Sequence, residues 1–390
     1  MSRKKGFSTR AVHSGQKPEK ITGAHATPIF QTSSFAYGNY ERGNKIFAGQ
    51  ESGFVYSRIA NPTTLSLEAK MADLENAEAA IAFSSGMAAI SSVCLSLLKP
   101  GDQILALGPL YGGTEALFLN LLAQLDISYK ESSVERLVND LSPKTKMIYA
   151  ETPTNPTLKI HDLSKIAKFA KDNKLISVVD NTFASPYLTR PLDFGIDISL
   201  HSATKYISGH GDVVAGIVAT TKSYADKIRS AGVKQIGANI GPFESYLLLR
   251  GLKTLAIRMQ QHCKSANIIA HELKNHKAIK VLNYPGLKEH AGHEIAKKQM
   301  LDFGGMLSFD LASKKAAQEF LDNLELFTQA VSLGDVDSLA TSPASTTHLA
   351  VPLDILEAQG VSPGLVRLSI GIENVEDLLD DLGQSLAKLG

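Results

Sequence analysis

The 390-residue sequence has little cysteine, little net charge and no long apolar run. Cys94 and Cys263 are its only cysteines, and both lie in apolar, helix-like stretches, which favours burial and excludes a disulfide-rich scaffold. Forty basic and thirty-nine acidic residues give a formal net charge of +1, which argues against binding to nucleic acid or to an anionic membrane. Because no apolar run has the length of a signal peptide or a membrane span, we expect a cytoplasmic protein that acts on a small molecule.

The order of patterns along the chain predicts an α/β protein of two domains. Residues 1–60 are rich in small and polar residues and have little periodicity, which predicts an extended N-terminal arm. Residues 61–250 begin with Asn61-Pro62, a typical helix start, and then alternate apolar runs with helix-like segments, so we expect a large domain there. Residues 251–390 mix strand and helix patterns and are expected to form a smaller C-terminal α+β domain.

Short apolar runs that alternate with helices predict a mainly parallel sheet that is covered on both faces. In the large domain the predicted strands are residues 79–83, 104–107, 147–150, 175–179, 196–200 and 213–218. A helical pattern covers residues 242–276, with Gly251 as a possible break. In the smaller domain we predict strands at 306–311 and 365–372 and helices at 316–324 and 375–389.

Ligands of an open parallel sheet bind beyond the carboxyl ends of its strands, so the residues that follow each apolar run are the first candidates for a site. Ser84-Ser85-Gly86-Met87 lies between the first strand and a helix expected to begin near Ala88. Small residues there leave N–H groups free at a helix N-terminus, which favours a phosphate. Asp180 ends a buried strand and needs a cationic or N–H partner, either a helix end or the protonated nitrogen of a pyridine.

Two further strand ends carry an amine and an amide. Lys205 stands among small hydroxyl residues in Ser202-Ala203-Thr204-Lys205, and Asn155 belongs to a loop whose two prolines hold it extended. A phosphate turn, a carboxylate, a lysine and an amide at one sheet edge are what a pyridoxal phosphate site requires. The lysine would form the Schiff base, the carboxylate would keep the ring nitrogen protonated, and the helix terminus would hold the phosphate.

Other classes of protein fit less well. The sequence has neither a P-loop nor the Gly-x-Gly-x-x-Gly fingerprint of dinucleotide enzymes. His271 and His276 are five residues apart, which turns them about 140° away from each other on a helix, and His290 and His293 lie in a glycine-rich loop, so no metal site is predicted. A non-catalytic binding protein that kept the fold is the alternative from a different class.

The sequence resembles, over nearly its whole length, the Cys/Met metabolism family of pyridoxal phosphate enzymes. This family includes cystathionine γ-synthase, cystathionine β- and γ-lyases, methionine γ-lyase and O-acylhomoserine sulfhydrylases. The motifs that carry the resemblance are Tyr56-Ser57-Arg58, Asn61-Pro62-Thr63, Ser85-Gly86-Met87, Tyr111-Gly112-Gly113-Thr114, Val179-Asp180-Asn181-Thr182, Ser202-Ala203-Thr204-Lys205-Tyr206, Arg250-Gly251-Leu252-Lys253-Thr254, Ser332-Leu333-Gly334 and Val366-Arg367-Leu368-Ser369-Ile370-Gly371.

The resemblance implies the aspartate-aminotransferase-like fold, fold type I, and a homotetramer of two dimers with shared active sites. Tyr56 and Arg58 would cross from the neighbouring subunit to the cofactor phosphate, for which an arginine fork is well suited. The other implied cofactor-binding residues are Ser85, Gly86, Met87, Tyr111, Asn155, Asp180, Thr182, Ser202, Thr204 and Lys205.

The resemblance also implies the roles of individual side chains. Tyr111 would stack on the pyridine ring, Asp180 would bond the ring nitrogen, and Asn155 would approach the ring hydroxyl. Lys205 and Tyr111 would be the catalytic residues. Lys205 would anchor the cofactor and remove the α-proton of the substrate, and Tyr111 would protonate the leaving thiol.

The substrate would be bound by Arg367, which would hold its α-carboxylate with help from Ser332. Gly113 and Gln235 differ from the Cys and Asp that methionine γ-lyases commonly have, whereas Val331 stands where many cystathionine γ-synthases and γ-lyases have Glu. We therefore predict a carbon–sulfur lyase that carries out α,β- or α,γ-elimination on cystathionine, methionine, homocysteine or cysteine, giving a thiol, ammonia and a 2-oxo acid. γ-Replacement, by a cystathionine γ-synthase or an O-acylhomoserine sulfhydrylase, is the alternative.

Overall fold

The computed structural model describes residues 5–346, 349, 356 and 359–389. Its larger sheet has seven strands: β1 (Ala79–Phe83), β2 (Gln103–Leu107), β3 (Ser128–Ser132), β4 (Thr145–Glu151), β5 (Ile176–Asp180), β6 (Ile198–Ser202) and β7 (Gly216–Thr220). They lie in the order β1-β7-β6-β5-β4-β2-β3, and only β7 runs antiparallel to its two neighbours. The predicted α/β fold with a mainly parallel sheet is confirmed.

Helices cover both faces of this sheet because its strands are apolar on both sides. Tyr149 of β4 packs on one face with Phe118, and the neighbouring Ile148 packs on the other face with Ile166. The described residues form the following α-helices, on this sheet and elsewhere: α1 (Phe7–His13), α2 (Tyr40–Phe47), α3 (Pro62–Leu74), α4 (Gly86–Leu97), α5 (Gly112–Ala116), α6 (Leu137–Asp140), α7 (Leu163–Asp172), α8 (Ser185–Leu188), α9 (Lys222–Ile228), α10 (Pro242–Leu252), α11 (Leu255–Leu273), α12 (His293–Gln299), α13 (Lys314–Asp322) and α14 (Val375–Ala387). Wider π-helical turns extend α5 over Leu117–Leu122 and α9 over Arg229–Ile236.

A second, smaller sheet contains five strands: β8 (Val281–Asn283), β9 (Met306–Asp310), β10 (Thr328–Gln329), β11 (Leu339–Thr341) and β12 (Leu365–Ser369). Their order is β10-β11-β12-β9-β8. The apolar faces of α11, α13 and α14 pack on it, with Ile269, Phe320 and Leu382 in a shared core. The predicted α+β composition of residues 251–390 is thus observed, while the division into domains at residues 60 and 250 stays a prediction.

The structure differs from the sequence prediction at one edge strand and at Gly251. The edge strand β3 was not predicted, since its sequence Ser-Tyr-Lys-Glu-Ser is mostly polar and only its last residue is buried. The long helical pattern is interrupted after Leu252, and Gly251 lies inside α10, where an added Cβ would stand 2.3 Å from the carbonyl oxygen of Ser208. This glycine permits a close approach of two backbones rather than a break.

The N-terminal residues differ in part from a wholly extended arm. Residues 5–60 include α1 and α2, and Ala11 of α1 is fully buried against α3. Most of the remainder has no regular structure, apart from a bridge between Ser34 and Tyr56. Within the described residues, no helix is both long and apolar enough to cross a membrane.

Candidate active site

The turn between β1 and α4 has the properties of a phosphate cradle. The side chain of Ser85 caps α4 by accepting a hydrogen bond from the N–H of Ala88 at 2.9 Å. Helix α4 begins at Gly86, two residues earlier than predicted, so the N–H groups of Gly86 and Met87 lie in its first turn, where the helix offers no carbonyl partner. A Cβ on Gly86 would stand 2.9 Å from Cβ of Ser202, which shows how closely this turn approaches the end of β6.

Asp180 is the last residue of β5 and faces the same space. Its Oδ1 accepts hydrogen bonds from the hydroxyl of Thr182 and, at 3.0 Å, from the N–H of Thr182. The Thr182 hydroxyl in turn accepts from the N–H of Ser202 at 2.8 Å. Burial raises the pKa of Asp180, and the bonds from Thr182 oppose this rise. A positively charged partner would stabilise this carboxylate.

Lys205 follows β6 in a short turn, and its side chain is half-buried. The Nζ atom donates a hydrogen bond to Oγ of Ser332 at 2.8 Å. Burial, followed by the positive charge of Arg367, lowers the pKa of Lys205 to about 8, and Asp335 opposes this shift. A lysine with a lowered pKa is more often the free amine, which is the form that attacks an aldehyde.

Arg367, on β12 of the smaller sheet, is buried. One of its terminal nitrogens donates to Oδ1 of Asn155 at 2.9 Å, and the other donates to the carbonyl oxygen of Ser332 at 2.7 Å. Its Nε is buried without a hydrogen-bond partner in the described part of the chain. Burial lowers the pKa of Arg367 to about 10, so the guanidinium is still charged at neutral pH and can bind a carboxylate.

Tyr111 stands immediately before α5, and its side chain is 44% exposed. Its main-chain N–H donates to Oε1 of Glu151 at 2.8 Å. A Cβ on Gly113 would lie 2.6 Å from the Tyr111 ring and 3.2 Å from Sδ of Met87, so the ring lies directly over this glycine. Such an exposed aromatic ring is available to stack on a flat ligand.

These groups surround one cavity of about 340 Å³. The lining residues predicted from the sequence are Ser85, Gly86, Met87, Tyr111, Asn155, Asp180, Thr182, Ser202, Thr204, Lys205, Ser332 and Arg367. The cavity is also lined by residues that were not predicted to belong to a site, namely Ile90, Glu151, Pro153, Phe183, Val214 and Leu333, together with Val331. Glu151 had one signal available, because it directly follows the predicted buried strand 147–150.

Two predicted residues are absent from this lining. The ring of Tyr56 is 42% exposed, and the guanidinium of Arg58 lies over that ring at 5.5 Å from its centroid. Arg58 also donates a hydrogen bond to the carbonyl oxygen of Lys234. The chain therefore does not bring Tyr56 and Arg58 to its own cavity.

The donor set fits pyridoxal phosphate and does not resemble a metal site. The cavity is surrounded by a glycine-dependent cradle, a buried carboxylate and a lysine of lowered pKa. These suit, in turn, the phosphate, the ring nitrogen and the aldehyde of that cofactor. Among the described residues, no group of three His, Cys, Asp or Glu side chains is arranged to hold a metal ion. Fold and cavity together define an enzyme of the pyridoxal-phosphate-dependent class.

Comparison with known proteins gives the particular family. The model of the Cys/Met metabolism PLP-dependent enzyme family matches residues 8–387, and the chain belongs to this family. The chain is 47% identical to L-methionine γ-lyase of Fusobacterium nucleatum subsp. polymorphum, with all of both sequences covered. It is 46% identical to cystathionine β-lyase of Lactococcus lactis subsp. cremoris, over 98% of this chain and 99% of that protein.

A solved structure supports the fold directly. The crystal structure of cystathionine γ-lyase from Lactobacillus plantarum, complexed with L-serine, is similar with a TM-score of 0.93 and 41% identity. The alignment covers 99% of each chain. The predicted family, the fold type I architecture and the pyridoxal phosphate cofactor are thereby confirmed.

Proposed function

We propose that this chain is a pyridoxal-phosphate-dependent carbon–sulfur lyase that releases a thiol, ammonia and a 2-oxo acid from sulfur-containing amino acids. The observation that carries the proposal is the convergence of Lys205, Ser332 and Arg367 on one cavity beside Asp180. The relatives named methionine γ-lyase and cystathionine β-lyase support the same reaction class.

The cofactor would be held by groups from several strand ends. The first turn of α4, with Ser85, Gly86 and Met87, would bind the phosphate, together with Ser202 and Thr204. Asp180, oriented by Thr182, would pair with the protonated ring nitrogen, and Tyr111 would stack on the ring. Asn155 would approach the ring hydroxyl. When bound, pyridoxal phosphate supplies an aldehyde and an electron-withdrawing ring.

The side chains of this chain would then divide the remaining work. Arg367 would bind the α-carboxylate of the substrate and so fix the α-carbon near Lys205. The Nζ atom of Lys205, once released from its covalent bond to the cofactor, would take the α-proton. With methionine and homocysteine, whose sulfur is on the γ-carbon, a β-proton must also leave before the sulfur group departs. The hydroxyl of Tyr111 would give a proton to the departing sulfur, because a thiol leaves more readily than a thiolate.

The apolar part of the cavity favours substrates with a simple thioether or thiol side chain. Val331, Val214 and Phe183 contribute apolar surface to the cavity wall. Within the described residues, Lys205 and Arg367 are the cationic side chains of the lining, and both already have a role. We therefore expect methionine and homocysteine to be accepted readily, with cysteine and cystathionine as further substrates.

The active form would be a homotetramer in which pairs of chains share their sites. Tyr56 and Arg58 do not line the cavity of their own chain, so their contact with a cofactor phosphate would require a neighbour. Large apolar side chains of the N-terminal region are exposed, including Ile21, Tyr40 and Phe47 at 92%, 89% and 71%, which suits packing on another copy. The cytoplasmic location stays a prediction.

The test is product analysis with purified, cofactor-loaded enzyme. Methionine, homocysteine, cysteine and cystathionine would be supplied one at a time, and O-acylhomoserine would be supplied with cysteine. We expect methanethiol from methionine, hydrogen sulfide from homocysteine, and ammonia and 2-oxobutyrate from both. Lys205→Ala is the matched control and should lose at least about 1,000-fold in kcat. Formation of cystathionine from O-acylhomoserine without 2-oxo acid from any thioether would reject the lyase.

A further inference from the structure

Glu151 is a buried acid in the cavity that the proposed reaction does not use. It is the last residue of β4 and is 5% exposed. In the ladder between β4 and β5 it stands directly opposite Asp180. Its Oε1 accepts the main-chain hydrogen bond from Tyr111, 40 residues earlier in the chain, at 2.8 Å.

This hydrogen bond connects the start of α5, where Tyr111 is exposed, to the interior strand β4 of the larger sheet. Tyr111 is the N-cap residue of α5, and its own side chain makes no capping hydrogen bond. Strand β4 lies between β2 and β5; Glu151 is paired with Asp180 of β5, and the preceding Ala150 is paired with both neighbouring strands, so the backbone of Glu151 is held in the sheet. The hydrogen bond to the carboxyl group of Glu151 therefore holds the backbone of Tyr111 in a fixed position relative to the sheet.

The ring of Tyr111 is restricted on one side once its backbone is fixed. On one side it is close to Gly113, where even a Cβ would stand 2.6 Å from the ring. We propose that Glu151 is a positioning residue. It holds the ring and hydroxyl of Tyr111 where stacking on the cofactor and protonation of the departing sulfur require them. The inference rests on the proposed function for the role of Tyr111, and on the described contacts for that of Glu151.

The charge state of Glu151 is consistent with this role. Burial, and then the negative charge of Asp180, raise the pKa of Glu151 well above its usual range, and Glu115 adds to the effect. Asp180 receives two hydrogen bonds from Thr182, which favour its ionised form. In either charge state an oxygen of the Glu151 carboxyl group can accept the N–H of Tyr111, so the proposed role does not depend on which of the two acids holds a proton.

A matched pair of neutral substitutions tests the proposal. Glu151→Gln retains an oxygen that can accept the N–H of Tyr111, whereas Glu151→Leu has similar bulk and no acceptor. We expect kcat for methionine to fall less than about threefold in the Gln variant and about 10- to 100-fold in the Leu variant, as for a lost buried hydrogen bond. KM should change less than kcat, because Arg367 still binds the substrate.

Two further measurements separate positioning from general damage. The circular dichroism of the bound cofactor in the visible range should be preserved in the Gln variant and altered in the Leu variant, since it reports the ring that stacks on the cofactor. In a Tyr111→Phe background, Glu151→Leu should lower kcat by less than about threefold, because both changes act on the same hydroxyl.

Several outcomes would overturn the inference. These are equal losses in the Gln and Leu variants, unchanged kcat in the Leu variant, or a full additional loss in the Tyr111→Phe background. If the Leu variant does not fold, Glu151→Asp replaces it, since one methylene less should break the contact and lower kcat about 10-fold. If the wild-type enzyme releases no thiol, the proposed function fails, while the circular dichroism comparison still tests Glu151.

Discussion

The amine of Lys205 lies 2.8 Å from the hydroxyl oxygen of Ser332, which is 127 residues further along the chain. Ser332 has a φ of +92°, a conformation that residues other than glycine seldom adopt. Its carbonyl oxygen also accepts a hydrogen bond from Arg367. One strained turn therefore connects the proposed nucleophilic amine with the proposed carboxylate-binding group, so the two are positioned together.

The first prediction concerns the pH at which the apoenzyme takes up its cofactor. Because burial and Arg367 lower the pKa of Lys205 to about 8, the free amine should already be abundant slightly above neutral pH. The rate of covalent attachment of pyridoxal phosphate should rise with pH and level off above about pH 8. Stopped-flow absorbance after mixing apoenzyme and cofactor measures this midpoint.

Two variants should move that midpoint in opposite directions. Arg367→Leu removes a positive charge that lowers the pKa of Lys205, so the midpoint should rise. Asp335→Asn removes a negative charge that opposes the shift, so the midpoint should fall. A wild-type midpoint above pH 10 would show that the environment of Lys205 leaves it an ordinary lysine.

The second prediction concerns shared active sites. Arg58→Ala should weaken cofactor retention, and Lys205→Ala should abolish turnover. In a hybrid pair, one site combines the intact Lys205 of one chain with the intact Arg58 of the other. Random mixing should therefore restore about a quarter of wild-type activity at limiting cofactor concentration.

The chains would be mixed by unfolding and refolding together, and different affinity tags would prove that hybrids form. Each variant refolded alone is the control. Inactive hybrids would show that Arg58 does not serve the cavity of a neighbour.

The larger sheet was largely predictable because its central strands are buried on both faces. The run Ala79–Phe83 coincides with β1, and each of the other predicted runs overlaps a strand. Strand β3 and the two-residue β10 gave no signal, since polar edge strands and very short strands have no continuous apolar pattern. Their existence depends on pairing with neighbours rather than on their own residues.

The site was predictable where a residue ends a strand and not where distant segments meet. Asp180 and Ser85 follow or end predicted strands, so their convergence follows from the parallel topology. The hydrogen bond between Asn155 and Arg367 joins residues 212 positions apart, and no local pattern indicates it. Glu151 had a strand-end signal, but its partner is a main-chain N–H, which any residue type provides.

The third prediction concerns substrate preference at Val331. This side chain lines the cavity and also a second cavity beside β11, so it stands where a long substrate would extend. Val331→Glu should favour cystathionine, whose distal ammonium could pair with the new carboxylate, by about 10-fold in the ratio of kcat/KM values relative to methionine. Steady-state kinetics with both substrates gives the ratio.

Val331→Gln is the matched control, because glutamine has nearly the same shape as glutamate but carries no charge. It should lower activity on methionine without the gain for cystathionine. An equal change of the ratio in both variants would mean that size rather than charge at this position decides the preference.

The fourth prediction concerns stability, through a buried arginine below the Lys205 turn. Arg258 is 3% exposed and donates to the carbonyl oxygens of Tyr206 at 2.8 Å and Gly251 at 2.9 Å. It thus links the residue after Lys205 to the end of α10. Arg258→Met keeps the length of the side chain but leaves both carbonyls without this donor, which should cost about 2–4 kcal/mol in the free energy of unfolding. Urea denaturation of the apoenzyme measures the change.

Arg190→Met is the control, since Arg190 pairs with Asp193 near the surface and its loss should cost less than about 1 kcal/mol. A second route to the same interaction is Gly209→Ala, because a Cβ there would stand 2.0 Å from Nη1 of Arg258 and the residue has a φ of +71°. The Gly209→Ala and Arg258→Met effects should be less than additive, because each displaces the same guanidinium. If the free energy of unfolding fell equally in the Arg258 and Arg190 variants, the hydrogen bonds by which Arg258 joins the Lys205 turn to α10 would not be a main contribution to stability.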